Sequence, residues 1–389
     1  MSNKDLKKMN GEKRVFAIRL QNARKVSGMS QAELASKMSE LQSVCPMMYK
    51  GVSSTAIEKY ENGVMVPDND IIMVTIAKAL NTNVANLRRP FRVTIGEFDF
   101  RKKSKLGKKA VERIKIMARQ RIEKYVEVER LLNEEIGCKV DFCHLVVRNR
   151  NDARAIAYKL RQEWNMGIGP ISNAINLLEN HGVKVIEVEE DPELFDGTSS
   201  MVDGIPVVVL NANVGDTSNP KHHNTYERRN LTLFHELGHQ LMNIADDIED
   251  KEKEKICNAF ASEFLIPSEM FIKIFGPKRT GISFFELKDV QREYGISARA
   301  LMYKASELGV ITTSRFKYFN ISLNKDPNLR YAIDETVMPP QHSSRFERLV
   351  YRALASEVIS ISKAAELLDK SVSDVVDSFK INTANENNC

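Results

Sequence analysis

The sequence predicts an α+β protein that is mostly α-helical, with an all-α N-terminal domain, a second domain of helices and a small sheet, and a helical C-terminal extension. Three observations lead to this fold class. Apolar residues recur at helical spacing through most of the chain. Short β-branched runs bounded by turn residues lie between residues 181 and 211 and predict a small antiparallel sheet. A His-Glu-x-x-His pattern lies within the helical segment 228–243.

Composition limits the class of protein. A chain of 389 residues suggests two or three domains, and 42% hydrophobic residues suffice for a sizeable core. No apolar run reaches the roughly 18–20 residues that span a bilayer, and the first residues lack the apolar core of a signal peptide. The five cysteines are scattered without a C-x-x-C pair, which favours a reducing compartment. We therefore expect a cytoplasmic protein without a membrane partner.

Residues 10–90 predict four or five short helices. The first covers Arg14–Ser27 and the second Gln31–Met38. Polar caps mark three of the helix starts, at Ser30 (with Glu33 completing a capping box), at Ser53 or Ser54, and at Asp68 or Asn69. Gly63 follows the helix TAIEKYEN and is expected to end it.

Two stretches, ARKVSGMSQAELASKM and SSTAIEKYENGVMVPDNDIIMVTIAKAL, resemble the helix-turn-helix of Xre/Cro repressors. The resemblance implies that one helix crosses the DNA backbone and the next enters the major groove. The residues it implies at DNA are Gln31, Ser53, Ser54, Thr55 and Lys59, with Arg24 and Lys25 as candidates for phosphate contacts. The link SELQSVCPMMYKGV is longer than the family's tight turn, so the module could instead serve protein contacts. Such repressors usually dimerise to match two half-sites, so a homodimer is expected.

Residues 91–149 predict a basic helical connector. The stretch 101–124 holds eleven Lys or Arg and two acidic residues, and it is helical in pattern from Lys108. The basic end could add phosphate contacts to the DNA-binding module. The alternative is a solvated helix face without a partner.

Residues 150–275 predict the catalytic domain. Two helices broken at Gly167–Pro170 precede a strand in HGVKVIEVEE, and two more strands flank the turn dipeptide Asp203-Gly204. A small sheet beside the His-Glu-x-x-His helix can present an edge strand to an extended peptide. His222 and His223, in the polar loop before that helix, are interpreted as surface residues.

The motif consists of His235, Glu236 and His239. Positions i and i+4 share a helix face, so both imidazoles can bind one Zn²⁺ while Glu236 remains able to take a proton from water. The alternative is a pair of hydrogen-bonded core histidines. A carboxylate on a second helix completes a His₂Glu site, and Glu254 is favoured over Glu252 and Glu263 because it shares a face with Asn258 and Ala261.

The combination F-H-E-L-G-H and then E-x-x-C-N-x-F-A-x-x-F-L-I-P resembles the ImmA/IrrE family of metallopeptidases, which often carry an Xre-type N-terminal domain. The resemblance implies a gluzincin-like domain with His235, His239 and Glu254 as zinc ligands and Glu236 as the base. It also implies a substrate that is a DNA-binding repressor protein. Cys257 stands where the family usually has Ala, and could perturb the metal.

Other assignments are less specific. Tyr226 and Arg228, together with His181, are candidates for substrate or oxyanion contact. Residues 276–325 predict a helical extension, 326–380 a C-terminal helical module, and 381–389 a disordered tail.

Two functions fit the sequence. The first is a DNA-binding zinc metalloendopeptidase that cleaves a repressor or antitoxin-like protein. The second is an Xre-type regulator or antitoxin whose peptidase-like domain senses a signal with little or no proteolysis. Both use the same residues, so the sequence leaves the choice open.

Overall fold

The computed structural model describes residues 11–91, 107–134, 137–138, 142–191, 195–214, 225–336 and 338–380. Within them the chain forms eighteen helices, a two-stranded sheet and a three-stranded sheet, which confirms the mostly helical α+β class. None of the described helices is long and apolar enough to cross a membrane. The predicted loop histidines at 222 and 223 and the predicted tail at 381–389 lie outside the described residues.

The helices are α1 (Gly11–Val26), α2 (Gln31–Val44), α3 (Ser54–Glu61), α4 (Asp70–Ala79), α5 (Val84–Arg88), α6 (Lys108–Leu132), α7 (Arg150–Glu163), α8 (Ala174–Asn180), α9 (Tyr226–Leu241), α10 (Asp250–Leu265), α11 (Ser268–Phe275), α12 (Phe284–Tyr294), α13 (Ala298–Glu307), α14 (Thr313–Lys325), α15 (Pro327–Asp334), α16 (Arg345–Ala355), α17 (Ile361–Leu368) and α18 (Val372–Lys380). The strands are β1 (Phe142–Val147), β2 (Lys184–Val188), β3 (Gly197–Val202), β4 (Ile205–Asn211) and β5 (Met242–Ile244).

The described chain divides into two compact units. Residues 11–91, 107–134 and 344–380 form unit 1, and the described residues between 137 and 343 form unit 2. Unit 1 therefore contains α1–α6 together with α16–α18, although these segments are far apart in the sequence. The finer domain boundaries inferred from the sequence stay predictions.

The helix starts of unit 1 follow their predicted caps. Ser30 accepts a hydrogen bond from the backbone of Glu33, whose carboxylate accepts one from the backbone of Ser30. Ser53 caps α3 and Asn69 caps α4. The predicted end of α2 at Met38 was wrong, because this helix continues to Val44 and so shortens the irregular link before α3.

A row of charged residues on α6 is buried within unit 1. Glu123, Glu127 and Glu129 pair with Arg19, Arg89 and Arg345 respectively, and both members of each pair are at most 7% exposed. Lys124 also reaches the turn after α17, where its Nζ lies 2.6 Å from an oxygen of Asp369. Buried pairs such as these are costly to break, because the remaining charge loses its partner. They therefore tie α1 and the segment after α5 to the C-terminal helices through α6.

Unit 2 contains a mixed sheet rather than the antiparallel sheet expected from the sequence. The strand order is β2-β4-β3, with β2 parallel to β4 and β3 antiparallel to β4. The predicted hairpin is confirmed, since Asp203 and Gly204 have φ values of 48° and 80°, as a two-residue turn of the primed type requires. Strand β2 is parallel to β4 because the chain passes from β2 to β3 at the far edge of the sheet, and β4 then returns between them. The composition of the strands does not reveal this order.

A second, two-stranded sheet was not predicted. Strand β5 directly follows α9 and pairs in parallel with β1. Helix α9 lies against β3 and β4 on one side and against α10 on another. Unit 2 thus packs the motif helix between a sheet and a second helix, which is what positions its side chains.

Candidate metal centre

Helix α9 begins and holds its register through local signals. Thr225 accepts a hydrogen bond from the backbone N–H of Arg228 and caps the first turn. Its buried residues include Leu233, Phe234 and Leu237, which fix the rotation of the helix in the core. This rotation directs His235 and His239 toward α10.

Three side chains meet between α9 and α10. Nε2 of His235 lies 3.2 Å from Nε2 of His239. The carboxylate of Glu254 lies 3.3 Å from Nε2 of His235 and 3.5 Å from Nε2 of His239. Among the described residues these three form a group whose potential ligand atoms all lie within 4.8 Å of one another.

These separations fit a single tetrahedral ion. Zinc–nitrogen and zinc–oxygen bonds of about 2.0–2.1 Å place two ligand atoms about 3.3 Å apart at tetrahedral angles. The three observed separations of 3.2, 3.3 and 3.5 Å scatter around that value. Two imidazoles and one carboxylate are also the donor set of a catalytic zinc site with one position left for water or substrate.

The structure discriminates among the three candidate carboxylates. Glu252 points away from the histidines and pairs with Arg150 and Lys255. Glu263 accepts hydrogen bonds from Lys304 at 2.7 Å and from both the backbone and the hydroxyl of Ser268. Of these three carboxylates, the structure brings Glu254 alone to the two imidazoles.

Gly238 allows α10 to approach between the two histidines. A Cβ built on this glycine would lie 3.1 Å from Cδ1 of Phe260 and 3.2 Å from Cε of Met242. These contacts are tighter than a real Cβ normally makes, so the ring of Phe260 occupies the space that a side chain would need. The element that packs closely at Gly238 is therefore α10.

The face of α9 that carries Glu236 is held by the sheet. Ser199, on β3, donates a hydrogen bond of 2.9 Å from its hydroxyl to Oε2 of Glu236. Gln240, one turn after Glu236, donates to the same hydroxyl at 3.0 Å. Glu236 is 4% exposed, so these contacts orient a buried carboxylate. Sequence reasoning missed Ser199 and Gln240, because their contact depends on how β3 packs against α9.

The other nitrogen of His235 is also bound. Its Nδ1 lies 2.9 Å from Oδ1 of Asn258, on α10. An amide oxygen only accepts hydrogen bonds, so His235 donates from Nδ1, and Nε2 is the nitrogen that faces Glu254. Asn258 follows Glu254 by one helical turn, and this spacing was the signal in the sequence that it shares the ligand's face.

A buried ion pair fixes the C-terminal end of α10. Lys304, on α13, lies 2.7 Å from Glu263 and donates to the carbonyl of Ile266 at 2.7 Å. Burial lowers the pKa of Lys304 to about 8, although Glu263 opposes this change. The helix that carries Glu254 and Asn258 is thereby attached to α13.

The structure does not bring Tyr226 and Arg228 to this cluster. They precede His235 by nine and seven residues on α9, which corresponds to about 13 and 10 Å along the axis. Tyr226 is buried and lies beside Gly295, and Arg228 pairs with Asp196 at 2.9 Å. His181 stacks on Trp164 and bonds the carbonyl of Leu177. Cys257 is buried in the hydrophobic core.

The residues predicted to face DNA lie on unit 1. Ser53, Ser54, Thr55 and Lys59 are exposed on or beside α3. Gln31 donates to Glu61 at 2.8 Å, and Glu61 also pairs with Arg24, which in turn donates to the carbonyl of Met29. Arg24 therefore has a structural role joining α1, the segment before α2, and α3, whereas the α3 residues are accessible. DNA contact by any of them stays a prediction.

The arrangement of two helices presenting His-His-Glu, with a buried carboxylate beside them, defines a metallopeptidase-like site. Residues 178–306 match the family model of the IrrE N-terminal-like domain, Peptidase_M78. The matched stretch contains the cluster, Glu236 and Ser199, and it supports a peptidase-like domain of the ImmA/IrrE type. No curated protein matches the chain. The match does not include residues 10–90, so the helix-turn-helix stays a prediction.

Proposed function

We propose that this protein is a zinc-dependent endopeptidase that also binds DNA and cleaves a repressor or antitoxin-like protein. The convergence of His235, His239 and Glu254 beside the buried carboxylate of Glu236 carries the proposal. The family match to residues 178–306 supports the peptidase part.

The residues take distinct roles in this proposal. His235, His239 and Glu254 hold the ion, and Zn²⁺ bound by such a set supplies Lewis acidity that activates water and polarises a peptide carbonyl. Glu236, held by Ser199, accepts a proton from the attacking water and returns it to the leaving amine. An extended substrate would run along β3, which lies at one end of the strand order β2-β4-β3.

The substrate class is inferred from resemblance to the ImmA/IrrE family, whose members act on DNA-binding repressors. The predicted helix-turn-helix in the same chain supports this class, because it would place the peptidase at the DNA where such repressors bind. A protein that binds DNA and cleaves repressors would act in the cytoplasm.

The DNA-binding part rests on the exposed residues of α3. Ser53, Ser54, Thr55 and Lys59 would enter the major groove, with Gln31 at the start of α2 near the backbone. A homodimer would match two half-sites of an operator.

The peptidase proposal is tested by metal analysis of three proteins. We expect about one zinc per chain in wild type and in Glu236→Gln, and none in His239→Ala. Cells expressing wild type, but not Glu236→Gln, should then contain a truncated repressor-like protein that is detectable by terminal-peptide mass spectrometry. Absence of metal from wild type would refute the peptidase function. Metal without any Glu236-dependent cleavage would favour the alternative of a sensor with little proteolysis.

The DNA part needs a separate test. Binding to a fluorescent duplex from the protein's own upstream region should weaken in Thr55→Ala and Lys59→Ala. In the Lys59 variant, the slope of log affinity against log salt concentration should also be shallower by about one, because one fewer counterion is released on binding. Lys317→Ala, an exposed lysine of unit 2, is the matched control. If both variants bind the duplex with the same affinity as wild type, α3 is not the helix that reads DNA.

A further inference from the structure

His235 is contacted at both ring nitrogens by α10. Nε2 faces Glu254 at 3.3 Å, and Nδ1 donates to Oδ1 of Asn258 at 2.9 Å. These two residues of α10 are four positions apart, so one helix face supplies both the carboxylate and the hydrogen-bond acceptor. The side chain of His235 is 10% exposed, which leaves water little access to replace this acceptor.

We propose that Asn258 is a positioning residue for the metal centre, which fixes the tautomer and the ring orientation of His235. The inference rests on the proposed zinc function and adds a residue that is neither one of the proposed ligands nor the proposed base. A neutral imidazole carries one N–H, and the contact with Asn258 places it on Nδ1. Nε2 is then the ring nitrogen that faces His239 and Glu254.

The neighbouring packing gives Asn258 a fixed location. Phe260, two residues later, lies against Gly238 between the two histidines. Lys304 and Glu263 attach the end of the same helix to α13. These contacts hold α10 just after Asn258, whose amide lies at hydrogen-bond distance from His235.

The chemical type of Asn258 also matters. Such partners of metal-binding histidines are carboxylates, carbonyls or water, and a carboxylate makes the imidazole a stronger donor to the metal. A neutral amide orients the ring without adding negative charge. With Glu254 as the single ligand carboxylate, the site would leave more of the positive charge on a bound ion.

The test measures metal affinity rather than turnover. Wild type, Asn258→Ala and Asn258→Asp would be titrated with Zn²⁺ against a chromophoric chelator, and with Co²⁺ by its visible absorption. Ser262→Ala, one turn further along α10, is the matched control. Thermal unfolding of each metal-free protein shows whether the variants fold.

We expect Asn258→Ala to bind zinc about 10- to 100-fold more weakly than wild type. Asn258→Asp, which keeps an acceptor at the same position, should bind zinc at least as tightly as wild type. Ser262→Ala should match wild type. In the cobalt form, the Asp variant should retain the absorption bands of wild type and the Ala variant should lose or shift them.

Three results would overturn the inference. Equal zinc affinity in wild type and Asn258→Ala would show that the contact does not position His235. Equal weakening in the Ala and Asp variants would mean that shape, rather than a hydrogen-bond acceptor, matters at this position. Failure of wild type to bind metal would refute the proposed function itself, so the two failures are distinguishable.

Discussion

The hydroxyl of Ser199, on β3, donates a hydrogen bond of 2.9 Å to the carboxylate of Glu236, on α9. Gln240 donates to the same hydroxyl, so the only proton of Ser199 is directed to Glu236. The strand proposed to hold the substrate therefore also orients the proposed base. A displacement of β3 would move both together.

Removing this hydroxyl should impair turnover while leaving the metal in place. A hydrogen bond to a charged group contributes roughly 1.5–3 kcal/mol, so Ser199→Ala should lower kcat by about 10- to 100-fold. Ser199→Thr keeps the hydroxyl and suits a strand, and should restore most of the activity. The measurement is the rate on a quenched-fluorescence peptide that wild type cleaves, with zinc content determined in parallel. An unchanged kcat in the alanine variant would contradict the role given to Ser199.

Gly238→Ala should weaken metal binding with little net change in stability. Alanine gains about 1 kcal/mol of helix propensity over glycine. Its Cβ would meet Phe260 at 3.1 Å and push α10 away by a few tenths of an ångström. Because Glu254 lies on α10, we expect roughly tenfold weaker zinc binding, as for other changes just outside the ligands. Chelator competition and urea unfolding measure the two effects. Zinc affinity equal to that of wild type would mean that α10 adjusts without moving its ligand.

Glu129→Gln should destabilise unit 1 specifically. Glu129 is 1% exposed and pairs with Arg345, so the substitution leaves a buried cation without its counter-charge, at a cost of about 3–5 kcal/mol. The single tryptophan, Trp164, lies in unit 2. The circular-dichroism transition should therefore shift more than the tryptophan fluorescence transition.

A matched control for that substitution lies on the same helix. Glu112 is half exposed, and its carboxylate comes no closer to Lys25 than 3.5 Å. Glu112→Gln should therefore change the free energy of unfolding by less than about 1 kcal/mol. Identical shifts of both signals in Glu129→Gln would argue that the units unfold together.

Lys304 predicts a pH dependence of the stability of unit 2. Its folded pKa is lowered from 10.5 to about 8 by burial. Between these values the unfolded chain binds more protons than the folded chain, so stability rises with pH in this window and is lost again as pH falls through 8. The shift corresponds to up to about 3 kcal/mol. Wild type and Lys304→Met would be unfolded in urea and followed by Trp164 fluorescence. From pH 8 to 10.5, the free energy of unfolding of wild type should rise relative to that of the variant. A constant difference across that range would refute the lowered pKa.

Local signals in the sequence predicted most helices and the three side chains that meet between α9 and α10. The cap at Ser30 with Glu33, the turn at Asp203-Gly204 and the spacing of His235 and His239 each depend on residues within four positions. The structure agrees with all three. The preference for Glu254 over Glu252 and Glu263 followed from helix periodicity in the same way.

Features set by distant contacts were not predictable. The parallel pairing of β2 with β4 depends on a crossover, and the contact of Ser199 with Glu236 joins residues 37 positions apart. For the charged stretch at the start of α6, the sequence left phosphate contacts and a solvated face as alternatives. Further along the same helix, Glu123, Glu127 and Glu129 are buried against partners up to 216 positions away. Tyr226 and Arg228 were candidates for substrate or oxyanion contact because they are close to the motif in sequence. The length of α9 separates them from the histidines.

The division of unit 1 between the two ends of the chain has a consequence for synthesis. A ribosome makes α1–α6 first, then all of unit 2, and only then α16–α18. Until the last helices emerge, Glu129 lacks Arg345 and Lys124 lacks Asp369. Unit 2 can therefore be complete before unit 1 is, and a chain interrupted in translation after residue 343 contains all of unit 2 but only part of unit 1.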